Sequence, residues 1–119
     1  MAARFGVRRT AGRAVTLTVT GDVDFVTAPA MIGAFQSALA GADADADDTL
    51  VDLGRTSFMD SMAVAALLAC RRAALDAGRT FTVVNANGIP ARVLRIAGLS
   101  GLLGLVDPPG LSPVPLRLE

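Results

Sequence analysis

The sequence predicts an α/β domain: a small mixed β-sheet of four to five strands, with three to four helices mainly on one face. Three observations predict it. Residues 15–19 alternate strictly, with Val15, Leu17 and Val19 on one side and Thr16 and Thr18 on the other, the pattern of a half-buried strand. Two short β-rich runs, residues 49–53 and 80–84, are separated by a segment of helical period. Strands that alternate with helices require parallel crossovers, whereas the first two strands are close enough to pair antiparallel.

In chain order, residues 5–9 form a first short strand and residues 15–19 the second. Gly21 is expected to end that strand, leaving Asp22, Val23 and Asp24 as a polar loop. Thr27 suits the cap of the first helix, with Pro29 tolerated in its first turn. Ile32, Phe35 and Leu39 recur there at helical spacing, and Gly41 stops the run. Residues 42–48 are a small acidic linker. Its aspartates (Asp43, Asp45, Asp47 and Asp48) lack the ligand spacing and turn glycine of a calcium loop, so they read as solvated charge.

Residues 49–53 form a buried strand, followed by a loop over 54–60. Residues 61–77 form the second helix, with Gly78 as its C′ residue. Residues 80–84 form the next strand. Asn87 or Gly88 opens the third helix, with Pro90 in its first turn, and Ile89, Val93, Ile96 and Ala97 share the face expected to be buried. Gly98 ends it. Residues 102–106 form a last short strand or helical turn. Four prolines over 107–115 make that segment irregular, so the domain spans 1–107 and a Pro-rich tail spans 108–119.

Composition excludes several functions. At 119 residues the chain suffices for one domain, burying roughly 65% of its unfolded surface. Apolar residues make up 52% of it, too many for a disordered chain, and with no Trp or Tyr the core must be aliphatic. Eleven basic residues balance eleven acidic ones, so nothing points to nucleic acid. Arg8, Arg9 and Arg13 read as edge-strand charge that limits strand pairing.

The single Cys70 excludes an internal disulfide and a cysteine-built metal site. The longest apolar region, 89–106, is interrupted by Arg92 and Arg95, so no membrane span is expected. The N-terminus has no apolar signal core, and the expected location is cytoplasmic. No His, no P-loop and no nucleophile with a base are present, so neither an enzyme, a metal nor a cofactor is expected.

The second helix carries the most informative residues. At 100° per residue, Ala63, Ala66, Leu67, Cys70 and Ala74 share one face, with Val64, Leu68 and Leu75 beside it. The opposite arc holds Met62, Ala65, Ala69, Arg72 and Asp76. Asp60 is placed as N-cap, which makes Ser61 the first helical residue. Met62 then projects outward near the positive helix end, beside Ala65 and Ala69, as a small apolar patch suited to a partner.

Three blocks resemble the STAS domains of bacterial anti-sigma factor antagonists. LTVTGDVDFVTAP (17–29) resembles the family's strand, acidic loop and helix start. LVDLGRTSFMDSMAVAALLACRRAA (50–74) resembles its strand, Phe-Met-Asp-Ser loop and helix. VVNANGIPARVLRIAGLSGLL (83–103) resembles its last strand and helix. The resemblance implies a non-enzymatic antagonist that binds an anti-sigma factor of the serine-kinase type and so releases a sigma factor for transcription. In the family the kinase phosphorylates a Ser or Thr following Asp-Ser, and the added charge abolishes binding.

Here Asp60 and Ser61 match, but Met62 stands where the acceptor is expected and Ala63 where Gly is usual. Ser61, Ser57 or Thr56 remain as hydroxyls, and regulation elsewhere is a further route. We read the usual switch as lost. The resemblance also puts Asp22 and Asp24 beside the same surface, so the expected partner-binding set is Asp22, Asp24, Asp60, Ser61, Met62, Ala65 and Ala69. The competing expectation is a STAS scaffold or small-ligand-sensing subunit of a larger signalling or transport complex.

Overall fold

A computed structural model describes residues 3–10, 14–41 and 48–104. The expected acidic stretch over 42–47 and the Pro-rich tail lie outside the described residues. The element order is β1 (Arg4–Thr10), β2 (Ala14–Val23), α1 (Ala28–Ala40), β3 (Asp48–Met59), α2 (Ser61–Asp76), β4 (Thr80–Val84) and α3 (Gly88–Ile96). The four strands form one sheet in the order β1-β2-β3-β4. β1 pairs antiparallel with β2, while β2–β3 and β3–β4 are parallel. This is the mixed α/β architecture that the sequence predicts, with α1 and α2 as the crossovers.

The alternation in β2 turns Val15, Leu17, Val19 and Val23 inward. Leu17, Val19 and Val23 meet Val51, Leu53 and Met59 of β3, Phe81 and Val83 of β4, and the buried faces of the helices, while Val15 packs with Ala38 of α1. Phe35 of α1 packs edge-on against Phe81, with ring centroids 5.7 Å apart, a geometry the ring quadrupoles favour. The buried face of α2 is the one its periodicity gives: Ala63, Ala66, Leu67, Cys70 and Ala74. Four of these five are small, so the helix sits close to its neighbours.

Two strands run further than the sequence suggests. Gly21 does not end β2, and residues 54–59 are strand instead of loop. β2 and β3 stay paired as far as Val23 and Met59, passing through two register shifts. Gly21 takes a φ of +98° at the second shift, a conformation that only glycine adopts without strain. The buried Thr56 hydroxyl donates to the Val19 carbonyl at 2.9 Å, tying the strands across the first irregularity. Val23, expected in a polar loop, is fully buried.

The ends of α2 follow their local chemistry. Gly78, at φ +74°, lets its amide donate to the Leu75 carbonyl and the Arg79 amide to the Ala74 carbonyl, at 3.0 and 2.9 Å. That pair of bonds is the Schellman arrangement.

The face of α3 differs from the expected one. Pro90, Ala91 and Leu94 are buried, whereas Ile89 and Ile96 are 50% and 79% exposed. The helix packs against β3, and the small Pro90 and Ala91 on its inner side let it approach closely. After α3, residues 101–104 form a turn. There Leu103 is buried, and its carbonyl accepts from the Val83 amide at 3.0 Å.

Candidate functional site

The β2–α1 connection and the β3–α2 connection meet at one end of the sheet, and Asp60 joins them. Its amide donates to the Val23 carbonyl at 3.2 Å, which brings the end of β3 onto the end of β2. One carboxylate oxygen accepts from the Ala63 amide at 2.9 Å, capping α2. The other accepts from the Phe25 amide, also at 2.9 Å. One side chain thus starts the helix and holds the neighbouring loop against it. Its negative charge lies at the positive end of α2, where the aligned peptide dipoles favour it.

Asp24 organises the other loop. Its carboxylate accepts from the amides of Val26 and Thr27, at 3.0 and 3.1 Å, and from the Thr27 hydroxyl at 3.2 Å. The Thr27 amide bond is the largest cause holding the Asp24 carboxyl below its usual value; desolvation opposes it, and the Val26 amide reinforces it. Thr27 occupies the N-cap position of α1, but its side chain makes no cap hydrogen bond. Its hydroxyl accepts from the Asp24 amide at 3.0 Å and lies 3.3 Å from the Asp22 carbonyl. The expected side-chain cap is therefore replaced by a turn that Asp24 closes.

These bonds fix which groups face outward. Phe25 and Val26, between the two aspartates, are 68% and 67% exposed, Phe58 is 42% exposed and Met62 is 51% exposed. All four are carried by the two connections that meet at Asp60: Phe25 donates its amide to the Asp60 carboxylate, and Phe58 and Met62 lie two residues before and two after it. The carboxylates of Asp24 and Asp60 accept backbone amides within the fold. Large exposed apolar side chains gathered at one place mark contact surfaces on soluble domains.

The site residues expected from the sequence separate into two groups. Asp24, Asp60, Ser61 and Met62 come together at this end, with Asp22 paired opposite Phe58, one pair before the end of the β2–β3 ladder. Asp22 is thus a strand residue, not a loop residue. Ala65 is exposed and Ala69 half-buried; Ala69 lies about 10 Å up the helix axis from Met62. Beyond them Arg72 and Asp76 form an exposed ion pair at 3.2 Å.

The hydroxyls also separate. Ser61 and Ser57 are exposed, but the Thr56 hydroxyl is buried and already bonded to Val19. The sequence reading missed Phe25, Val26 and Phe58. Phe58 and Phe25, two of only five Phe in the chain, flank the aspartates, and that placement was the available signal.

Among the described residues, no group of three or more His, Cys, Asp or Glu could hold a metal ion. No helix among them is long and apolar enough to cross a membrane. Cys70 is buried, and desolvation pushes its thiol up to about 12.

Comparison with known proteins places this geometry in a family. No curated protein matches the chain. An anti-sigma factor antagonist from Mycobacterium paratuberculosis has a similar fold, with a TM-score of 0.75 at 24% identity over 90% of this chain and 87% of that one. The Bacillus cell fate determinant SpoIIAA in its phosphorylated form gives 0.61 at 24% identity, over 88% of this chain and 91% of that one. A sulfate transporter family protein from Wolinella succinogenes gives 0.65 at 13% identity, over 82% and 76%. The family model described as "Mlab, STAS domain" matches residues 7–107, nearly the whole described chain, and on that match the chain belongs to the STAS domain family.

Proposed function

We propose that this chain is a protein-binding regulatory module and not an enzyme: a cytoplasmic anti-sigma factor antagonist. It binds an anti-sigma factor of the serine-kinase type, releases the sigma factor held by it, and so regulates transcription. The observation that carries this reading is the apolar surface of Phe25, Val26, Phe58 and Met62 around the capped N-terminus of α2. It is supported by the similarity in fold to anti-sigma factor antagonists.

The same surface works without the usual phosphoserine switch. Met62 occupies the position following Asp-Ser, and a thioether accepts no phosphate. Ser61, beside it, is exposed, but it is the first residue of α2 and precedes the matching position.

The test is a pull-down with serine-kinase-type anti-sigma factors, with a known antagonist as positive control. Binding by the chain and displacement of the sigma factor are expected; no binding to any of them overturns the role. Incubation with kinase and ATP, followed by peptide mass spectrometry, is expected to leave residues 57–62 unmodified. Phosphate on Ser61 or Ser57 overturns the unswitched reading.

A second reading has its own support. The fold is also similar to a sulfate transporter family protein. In addition, a groove of about 510 Å³ lies on the sheet beside Gly6, Arg8, Thr18, Asp52, Arg55 and Asn85. A scaffold or small-ligand-sensing subunit of a larger signalling or transport complex would use such features. Co-migration with a large assembly on size-exclusion chromatography, or a ligand-dependent rise in Tm, would favour it over the antagonist.

A further inference from the structure

The described residues hold four side-chain sulfurs, and only one of them reaches solvent. Met31 is fully buried and Met59 is 2% exposed; Cys70 is fully buried as well. Cys70 is the residue that peroxide normally attacks, through its thiolate. Here burial in the core keeps it a neutral thiol. Met62 is 51% exposed and lies in the first turn of α2, two residues beyond the Asp60 cap. The two connections that meet at Asp60 also carry the exposed Phe25, Val26 and Phe58.

We propose that Met62 is an oxidative modification site, and that its sulfoxide turns off the partner-binding surface. The proposal rests on the protein-binding role argued above. Its chemistry needs only a peroxide as oxidant. A thioether lone pair attacks one oxygen of hydrogen peroxide and the O–O bond breaks. The proton on the transferred oxygen passes to the departing hydroxide, which leaves as water. Sulfur loses two electrons, peroxide gains them, and an S–O bond replaces the sulfur lone pair.

The product changes the surface in the direction that phosphate would. A flexible apolar side chain becomes a polar one with a strong acceptor oxygen. In a packed apolar contact that oxygen must be desolvated, and Phe25, Val26 and Phe58 offer no side-chain donor, which leaves the exposed Ser61 hydroxyl beside it. An unpaired polar group in such a contact weakens binding by about tenfold or more. The modification is reversible by methionine sulfoxide reductases, so the surface can be reset.

The experiment treats the full chain with hydrogen peroxide. Peptide mass spectrometry locates the added oxygen, and affinity for the serine-kinase-type anti-sigma factor is measured before oxidation, after it, and after sulfoxide reductase treatment. Met62 is expected to oxidise well before Met31 and Met59. Affinity is expected to fall about tenfold and to return after reduction.

Whatever affinity M62L retains is expected to be insensitive to peroxide, and M62Q, a polar stand-in for the sulfoxide, to bind weakly without peroxide. Complete oxidation of Met62 with unchanged affinity overturns the inference, as does equal peroxide sensitivity in M62L, or oxidation of Met31 and Met59 as early as Met62. If the untreated chain binds no anti-sigma factor while the positive control does, the antagonist role fails and this inference fails with it. Peroxide-insensitive binding removes this inference alone.

Discussion

Asp60 is the residue on which the site depends, because two functions meet in one carboxylate. One oxygen caps α2 through the Ala63 amide and the other holds the Phe25 amide of the neighbouring loop. Removing it exposes a helix-start amide and frees the loop that carries Phe25 and Val26. The D60A variant is expected to lose about 1–2 kcal/mol of stability, the usual range for an N-cap deletion. D60N keeps one acceptor oxygen and so serves only one of the two amides, and its loss is expected to be smaller. Urea unfolding of the three proteins checks the order, and equal stability of D60A and the parent would show that the cap is not used. The cap was legible in the sequence, because an Asp before a small-residue helical run has few other uses. The second bond was not, because it joins residues 35 apart.

At the scale of elements, α2 and α3 show when periodicity suffices. In α2 the buried face is wide and uniform, so Ala63, Ala66, Leu67, Cys70 and Ala74 read directly as the inner stripe. In α3 the bulkiest side chains mislead. Ile89 and Ile96 suggest a buried face with Val93, but the helix turns Pro90, Ala91 and Leu94 inward, because small residues allow close contact where it packs against β3. The extensions of β2 and β3 were hidden for a related reason. Gly21 and Asp22 look like loop residues alone, and only pairing between two strands distant in sequence makes them strand. The α3 assignment has a direct test. Truncating the fully buried Leu94 to Ala is expected to cost about 2–5 kcal/mol, whereas I96A on the exposed side is expected to stay within about 0.5 kcal/mol of the parent. The reverse order by urea unfolding would restore the face that the sequence suggests.

For the whole molecule, the question is whether the site end can loosen while the core stays closed. One cluster of buried side chains links all three helices to β2, β3 and β4. The fold order and strand directions were legible because they follow from element order and handedness. How far the core runs as one unit was not, since it depends on contacts such as Phe35 with Phe81. Cys70 reports on that unit, because it is fully buried within the cluster on the inner face of α2. Desolvation raises its thiol from 9.0 to about 12. A raised folded value contributes stability below the unfolded value, and that contribution is lost as pH rises from 9.0 towards about 12. Stability should therefore decline across that alkaline range in the parent, and less in C70A once the cavity loss is subtracted. At neutral pH an alkylating reagent should reach Cys70 only through unfolding, at a rate lowered by about a thousandfold or more relative to a free thiol. Its dependence on urea should match the slope of the equilibrium transition. A much smaller slope would show that α2 opens by itself. In that case the partner surface at its N-terminus would be carried by a helix that detaches, not by a rigid edge of the sheet.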